Sequence, residues 1–490
     1  MIDDAHTEAP CVAGAAGPRA TSKGSKVLKR TRTLCPACLK PLVGLTFESE
    51  GEVFLERTCP EHGVAVALVS SHRRHYYLRG EVPHPPPAQA CCAPTTASSR
   101  APSPSTALAP IHRACVALLE ITDACNLRCP ACYAESPNGK HRSFEELVST
   151  LDQYLARGPL DVLQISGGEP TIHPRFLDIV ADALARTSIR YVMLNTNGIT
   201  LARDPELAAA LARHKPRFEI YLQMDGLDDK AHAALRGEAL LEEKRAAISR
   251  IIEHDIPTTL VCTVVRGVND RELGDVLRLG LSVPQIRGVS FQPATYAGRF
   301  TLDASPLRRS TLADVITGIE AQSAGLLRED DFRPLPCSDP NCCSFTFLAR
   351  RPDEPPIALT RLLDYDEHWR KLEDRMLFLP DDAGDALSAD MPPKQIFRIS
   401  AKPFMDAWTY DQSRIDECCL HIIQPGGEPI SFCEYNVRVR GRPNGETLVP
   451  LGRLARAADR PPTSPDAACC GDFSDTNEAP DPLPANFDPS

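Results

Sequence analysis

The chain has 490 residues, 42% hydrophobic and 24% charged, with a formal net charge of −11. That balance suits a soluble globular protein with one large domain and smaller ones beside it, and an acidic chain repels the phosphates of nucleic acid. No apolar run approaches the ~18 residues of a membrane helix, and the first thirty residues lack the apolar stretch of a secretory signal.

Nineteen cysteines are present, many two or three residues apart. In a long chain without an export signal, such clustering points to metal or cluster ligation in a reducing compartment, and so to a cytoplasmic metalloprotein.

In chain order, residues 1–30 read as a tail without a packed core, and the basic stretch 23–32 as a solvated charge run. Residues 31–80 read as a small metal-binding unit of ribbon or rubredoxin type with a β-like stretch over 51–57. Its Cys35-Pro-Ala-Cys38 and Cys59-Pro-Glu-His62 knuckles match a tetrahedral site. Zinc on three thiolates and one imidazole is the simplest chemistry. A single iron with Cys91 or Cys92 as fourth ligand is the alternative. Residues 81–110, dense in Pro, Ala, Ser and Thr, read as a linker.

From 111 to 325 short β-rich runs alternate with amphipathic helical ones. Strands are predicted over 115–122, 160–166, 191–195, 218–224, 258–265 and 288–292, and helices over 143–156, 174–187, 205–213, 238–254, 270–279 and 306–322. Ser143 with Glu146 forms a capping-box start, and Asp204 precedes Pro205 as an N-cap. Strands separated by helices imply βαβ crossovers. The fold class is therefore α/β, with a partial (β/α)6 barrel fitting the count of units. Residues 326–445 read as a cysteine-rich auxiliary domain and 446–490 as a second tail.

The first predicted strand runs into Cys125-Asn-Leu-Arg-Cys129-Pro-Ala-Cys132. Three cysteines at this spacing aim three thiolates at three corners of a cubane, whereas a pure electron carrier wants four. The missing fourth ligand leaves an iron open to a cofactor, as catalytic metals keep an open position. A structural zinc knuckle or a four-thiolate cluster is the bland alternative. After the second strand comes Ser166-Gly167-Gly168-Glu169-Pro170, where glycines admit a close backbone approach and the carboxylate suits an ammonium group.

Together these motifs resemble the radical S-adenosylmethionine (SAM) superfamily over about 115–300. The resemblance implies a 4Fe–4S cluster on Cys125, Cys129 and Cys132, with SAM on its open iron and Gly167, Gly168 and Glu169 near the SAM amino group. Reductive cleavage of SAM then gives a 5′-deoxyadenosyl radical that takes hydrogen from an unactivated carbon. A low-potential donor of ferredoxin or flavodoxin type is implied. By position, Asn195, Asn197, Gln223 and Asp225 resemble the SAM-contacting strand ends, although each would equally close its strand as an Asx-type turn.

Toward the C-terminus, Cys337, Cys342, Cys343, Cys418, Cys419 and Cys433 suffice for at least one auxiliary 4Fe–4S cluster. Neighbouring cysteines cannot easily bind one iron, so each doublet suggests either a second cluster or one ligand beside one buried thiol. Cys115 and Cys262 read as core residues, and Cys11, Cys469 and Cys470 as incidental.

Further segments resemble the subgroup that contains archaeal tetraether lipid synthase and pterin methyltransferase-like proteins. They are Arg32–Cys38, Tyr221–Leu227, Thr263–Asp270, Phe291–Pro293 and Lys402–Asp406. The subgroup commonly has Phe where this chain has Met224. The resemblance implies a transferase or carbon–carbon bond-forming enzyme acting on a lipid, a pterin or another small molecule. A peptide maturase and a non-catalytic iron–sulfur carrier are the other readings.

Overall fold

Residues 26–70 make an antiparallel meander of β1 (Lys26–Leu34), β2 (Pro41–Ser49), β3 (Glu52–Cys59) and β4 (Gly63–Ser70), paired in chain order. Glu50 and Gly51 both have positive φ (53° and 81°) and close the β2–β3 hairpin beyond the Ser49–Glu52 pair, as a two-residue turn matched to strand twist requires. Stacked Phe47 and Phe54, with ring centroids 5.6 Å apart, fill the space beneath. The computed structural model describes residues 17–78, 81, 114–134, 138–351, 353–362 and 395–440. Cys11, Cys91, Cys92, Cys469 and Cys470, most of the expected linker and the expected 446–490 tail lie outside them.

Strand β1 corrects the sequence reading, which assigned 1–30 to a tail. The basic residues are interleaved with Val, Leu and Thr, and the strand carries two of them to acidic partners in a later segment. Lys29 Nζ lies 2.7 Å from Asp411, Thr31 Oγ1 donates to the same carboxylate, and Arg32 pairs with Asp416 at 3.4 Å.

The six expected barrel strands are all present: β5 (Val116–Ala124), β6 (Leu160–Gly167), β7 (Ile189–Thr196), β8 (Phe218–Gln223), β9 (Thr258–Val264) and β10 (Ile286–Pro293). They are nearly continuous apolar runs, as strands covered on both faces require. Between and after them lie α1 (Phe144–Leu155), α2 (Phe176–Ala185), α3 (Ile199–Arg203), α4 (Pro205–Ala212), α5 (Asp229–Arg236), α6 (Leu241–Glu253), α7 (Leu273–Ser282) and α8 (Leu312–Gln322). Sequence periodicity missed α3 and α5, which span 5 and 8 residues, too few turns for a clear apolar stripe. Ser143 accepts from the Glu146 amide and Asp204 from those of Glu206 and Leu207. The Glu146 carboxylate instead takes Arg142 Nε at 2.8 Å, so only half of the capping box forms.

Side-chain alternation gives the sheet two different faces. One packs Leu119, Ile165, Leu194, Leu222, Leu260 and Phe291 against the helices. The other carries Val116, Leu118, Val162, Tyr191, Met193, Tyr221 and Val261 and becomes polar at the C-terminal ends of β6, β7 and β8.

The described strands beyond 340 extend the barrel sheet. Strands β11 (Ser344–Ala349), β12 (Ile396–Ala401), β13 (Leu420–Ile423) and β14 (Pro429–Ser431) join the barrel sheet in the order β11-β12-β10-β9-β8-β7-β6-β5-β13-β14. Because β12 is parallel to β10 and β13 parallel to β5, the described parallel array has eight strands where six were expected. A buried ion pair fastens the connecting segment: Arg309 Nη2 lies 2.6 Å from Asp406, which also accepts from the Tyr296 amide at 2.8 Å.

Candidate active site

Strand β5 delivers its chain directly into the three-cysteine loop. Thr122 Oγ1 accepts from the Ala124 amide at 3.0 Å, and the Leu127 amide points at Cys125 Sγ at 3.4 Å. Ala131–Cys132 then pairs with Arg299–Phe300, while Arg299 Nε donates to the Cys129 carbonyl at 2.7 Å. Cys129 is buried and Cys125 and Cys132 are half-buried, packed with Leu127, Ile199 and Leu240. The three sulfurs are not drawn within 4.8 Å of one another, as a cubane needs when each thiolate binds a different iron. Burial, with Glu169, Cys129 and Cys132 adding negative charge, pushes the Cys125 thiol up to about 12, so metal coordination is what would make it a thiolate.

The Gly-Gly-Glu run is laced onto this loop. Gly167 pairs with Thr122, Gly168 N donates to the Thr122 carbonyl at 2.8 Å, and Glu169 N donates to that of Ala124 at 2.9 Å. Gly167 has φ +135°, and a Cβ there would lie 2.2 Å from the Thr122 oxygen; only glycine fits. Glu169 is tied to the strand ends beside it. Its carboxylate is buried, with Oε1 accepting from Thr171 N, Thr171 Oγ1 and Thr196 Oγ1 and Oε2 from Asn197 N at 2.7 Å. A carboxylate with those four partners fixes the neighbouring strand ends, and Oε2 alone keeps room for a further donor.

Asn197 reaches the cluster loop, its Nδ2 donating to Asn126 Oδ1 at 2.7 Å. Asn195 donates to Ser166 Oγ at 3.2 Å and has its buried Oδ1 without a partner. Asp225 is fully buried and is not open to a ligand. It takes Arg236 through two bonds of 2.6 and 2.7 Å, Gln223 Nε2 at 2.7 Å and the Thr263 amide at 3.0 Å. Sequence reasoning missed Arg236 and the fully buried Lys244, which donates to the Asn197 carbonyl. Both lie within reach of the Cys129 charge, and neither stands near a cysteine in sequence.

The ribbon holds a second, tighter thiol site. Cys35, Cys38, Cys59 and His62 bring four donor atoms within 4.8 Å of one another. Cys38 and Cys59 are 3.9 Å apart, and His62 Nδ1 is 3.5 Å from Cys59 and 3.7 Å from Cys35. A tetrahedral ion with metal–sulfur bonds of about 2.3 Å sets donors about 3.8 Å apart. The donor set fits a single ion, and His62 completes it without help from residues 91 and 92.

The fold, the thiol loop and the ribbon have counterparts among known proteins. Residues 119–280 match the model of the radical SAM superfamily, and residues 27–71 that of the HMPTM N-terminal zinc ribbon domain. The chain carries a radical SAM domain behind a zinc ribbon. Among its relatives, the 7,8-dihydro-6-hydroxymethylpterin dimethyltransferase of Methanocaldococcus jannaschii is 27% identical over 510 aligned residues, covering 87% of this enzyme and 97% of the relative. The GTP 3′,8-cyclase of Geobacter sulfurreducens is 32% identical over 184 residues, which span 36% of this enzyme and about half (55%) of the cyclase. Among solved structures, a radical SAM methyltransferase from Sphaerobacter thermophilus overlaps 62% of this chain and 76% of its own, with 12% identity and a TM-score of 0.33.

In the C-terminal part of the enzyme the two doublets splay. Cys342 Sγ faces Arg414 Nε at 3.4 Å, whereas Cys343 is buried with Leu335 and Phe345. Cys418 feels the charge of Cys433, whose sulfur accepts from the Met405 amide at 3.3 Å. Cys419 turns the other way, 3.8 Å from Cys337. The residue unforeseen here is Cys115, expected as core, whose sulfur lies 3.3 Å from Cys337. Cys262 is buried in the core as expected. Among the described residues no helix is long and apolar enough to cross a membrane.

Proposed function

We propose that the enzyme modifies a carbon of a small polar heterocycle of pterin type, by methylation or carbon–carbon bond formation. The observation that carries this is the polar part of the sheet face opposite the main helical core, toward the C-terminal strand ends. There Glu120 of β5, Gln164 and Ser166 of β6, Asn195 of β7, Gln223 of β8 and Gln292 of β10 occupy it by strand alternation. A lipid chain would ask for an apolar lining, whereas a heterocycle rich in nitrogen and oxygen asks for convergent donors and acceptors. The whole-length likeness to a pterin dimethyltransferase points the same way.

In this reading Cys125, Cys129 and Cys132 would hold a 4Fe–4S cluster beside the Gly167–Gly168 backbone. Bound there, the cluster and SAM would supply a hydrogen-abstracting radical, since such chemistry belongs to the cofactor. The protein's part is placement. Gly167 lets its strand end approach the loop, and Glu169 holds Thr196 and Asn197. Asn197 fixes Asn126, and Arg236 on Asp225 supports Cys129 from behind. Asn195 Oδ1 is left to accept from SAM or substrate. The ribbon carries one zinc ion, the C-terminal thiols hold one or more auxiliary 4Fe–4S clusters, and a ferredoxin- or flavodoxin-type donor supplies electrons.

The test is anaerobic incubation of reconstituted enzyme with SAM, reductant and either 7,8-dihydro-6-hydroxymethylpterin or an archaeal-type lipid. Mass spectrometry should find a methylated or coupled pterin and unchanged lipid. A modified lipid with untouched pterin would overturn the assignment of substrate.

A further inference from the structure

Three cysteines from distant parts of the chain meet where the two edges of the barrel sheet approach. Cys115 immediately precedes β5, and Cys419 immediately precedes β13 on the next strand position. The parallel pairing of Leu420 with Val116, together with the Val116 amide donating to the Cys419 carbonyl at 3.2 Å, sets the two side by side. Cys337 comes from the opposite edge, on the loop that leads into β11, with Leu335 N donating to the Cys343 carbonyl at 2.9 Å. Its sulfur is 3.3 Å from Cys115 and 3.8 Å from Cys419. Among the described residues only this trio and the ribbon set bring three or more such donors within 4.8 Å.

That spacing separates the trio from the three-cysteine loop. One tetrahedral ion at metal–sulfur distances of about 2.3 Å sets sulfurs about 3.8 Å apart, whereas a cubane binds each thiolate to a different iron and holds them wider. The trio also lies at the far end of β5 from Cys125. The strand has nine residues, which at about 3.3 Å per residue span roughly 30 Å. Of the other four C-terminal thiols, Cys343 is buried in the core, Cys342 and Cys433 lie near Arg414 and Cys418 lies near Cys433; these last three do not converge within 4.8 Å.

We propose that Cys115, Cys337 and Cys419 bind one thiophilic divalent ion, of the zinc or ferrous class, which fastens the seam between the two edges of the sheet. This deepens the reading of the C-terminal thiols as metal ligands and rests on it. It divides them into a single-ion site and a separate set of Cys342, Cys418 and Cys433 for a cluster. The adjacent pairs 342/343 and 418/419 then make sense, because neighbours on an extended chain point to opposite sides and serve different surroundings. Binding three thiols as thiolates releases protons, and its free energy adds to the stability of the closed seam.

Elemental analysis of the full-length, anaerobically purified enzyme tests the proposal. Iron–sulfur cubanes contain equal iron and acid-labile sulfide, so metal in excess of sulfide counts single ions. Wild type should show two such ions per chain, one in the ribbon and one at the seam. Cys115→Ala and Cys337→Ala should each lose about one ion with sulfide unchanged, and the double variant should lose no more than either alone. Cys342→Ala should lose iron and sulfide together. If the variants fail to accumulate, the wild-type count still decides, because one excess ion overturns the seam site. Loss of sulfide with iron in Cys115→Ala would overturn it too, by making Cys115 a cluster ligand. Release of 5′-deoxyadenosine, read separately, depends on the Cys125 loop and reports on that assignment whatever happens at the seam.

Discussion

The ribbon site and the strand-end loop use the same ligand chemistry toward opposite ends. In the ribbon, two short knuckles bring Cys35, Cys38, Cys59 and His62 within 4.8 Å of one another, so one ion is enclosed on all sides. In the loop, three thiols spread apart, and their surroundings come from five strand ends and two buried cations. A closed donor set builds a small domain that its own core could not. An open one keeps a coordination position for chemistry and needs the whole barrel to hold it in place. Cys59 shows the local character of the first site, because the adjacent His62 alone does most to hold its thiol down, to about 6.

The sharpest way to separate the two is to remove one ligand from each. Cys129→Ala should abolish SAM cleavage completely while leaving the ribbon ion in place, measured by 5′-deoxyadenosine release alongside zinc content. Cys59→Ala should do the reverse to the metal: the ribbon ion is lost, and residues 26–70 become susceptible to limited proteolysis because ion binding there is part of folding. Retention of a protease-resistant ribbon in that variant would show that packing against Asp411 and Trp408 suffices without the ion.

A smaller effect should follow from the support beneath the open site. Asp225→Asn leaves the buried Arg236 guanidinium without its carboxylate, and breaking such a pair costs about 3–5 kcal/mol. Denaturant unfolding should show a loss of that order, together with a lower yield of reconstituted cluster on the loop. An unchanged midpoint would mean that the loop does not lean on this pair. Ser143→Ala, which removes the cap of α1, should cost only ~1 kcal/mol and leave metal content untouched at both sites.

How much of this was legible in the sequence follows the same division between local and distant. The ligands of the loop and of the ribbon were readable because each set lies on short spacings, and the six barrel strands because β-rich runs alternate with amphipathic helical ones. Strand β1 was not, since a run of Lys and Arg looks solvated until Asp411, nearly four hundred residues on, supplies the partner. Cys115 looked like any buried cysteine because Cys337 is 222 positions away. The motif marks Glu169, but not the bonds its oxygens take from Thr171, Thr196 and Asn197; no spacing rule shows which way a carboxylate turns. The C-terminal strands were hidden for a related reason, as β12 and β13 are only 6 and 4 residues long and acquire meaning only at the edges of a sheet formed earlier in the chain.

The most direct measurement is anaerobic incubation of reconstituted wild type with SAM and dithionite, followed by quantification of 5′-deoxyadenosine and methionine. The account predicts that both form, and that Cys125→Ala and Cys132→Ala form neither while retaining their auxiliary metal. Product release by those variants at the wild-type rate would contradict it, because the open-cornered centre would then lie elsewhere.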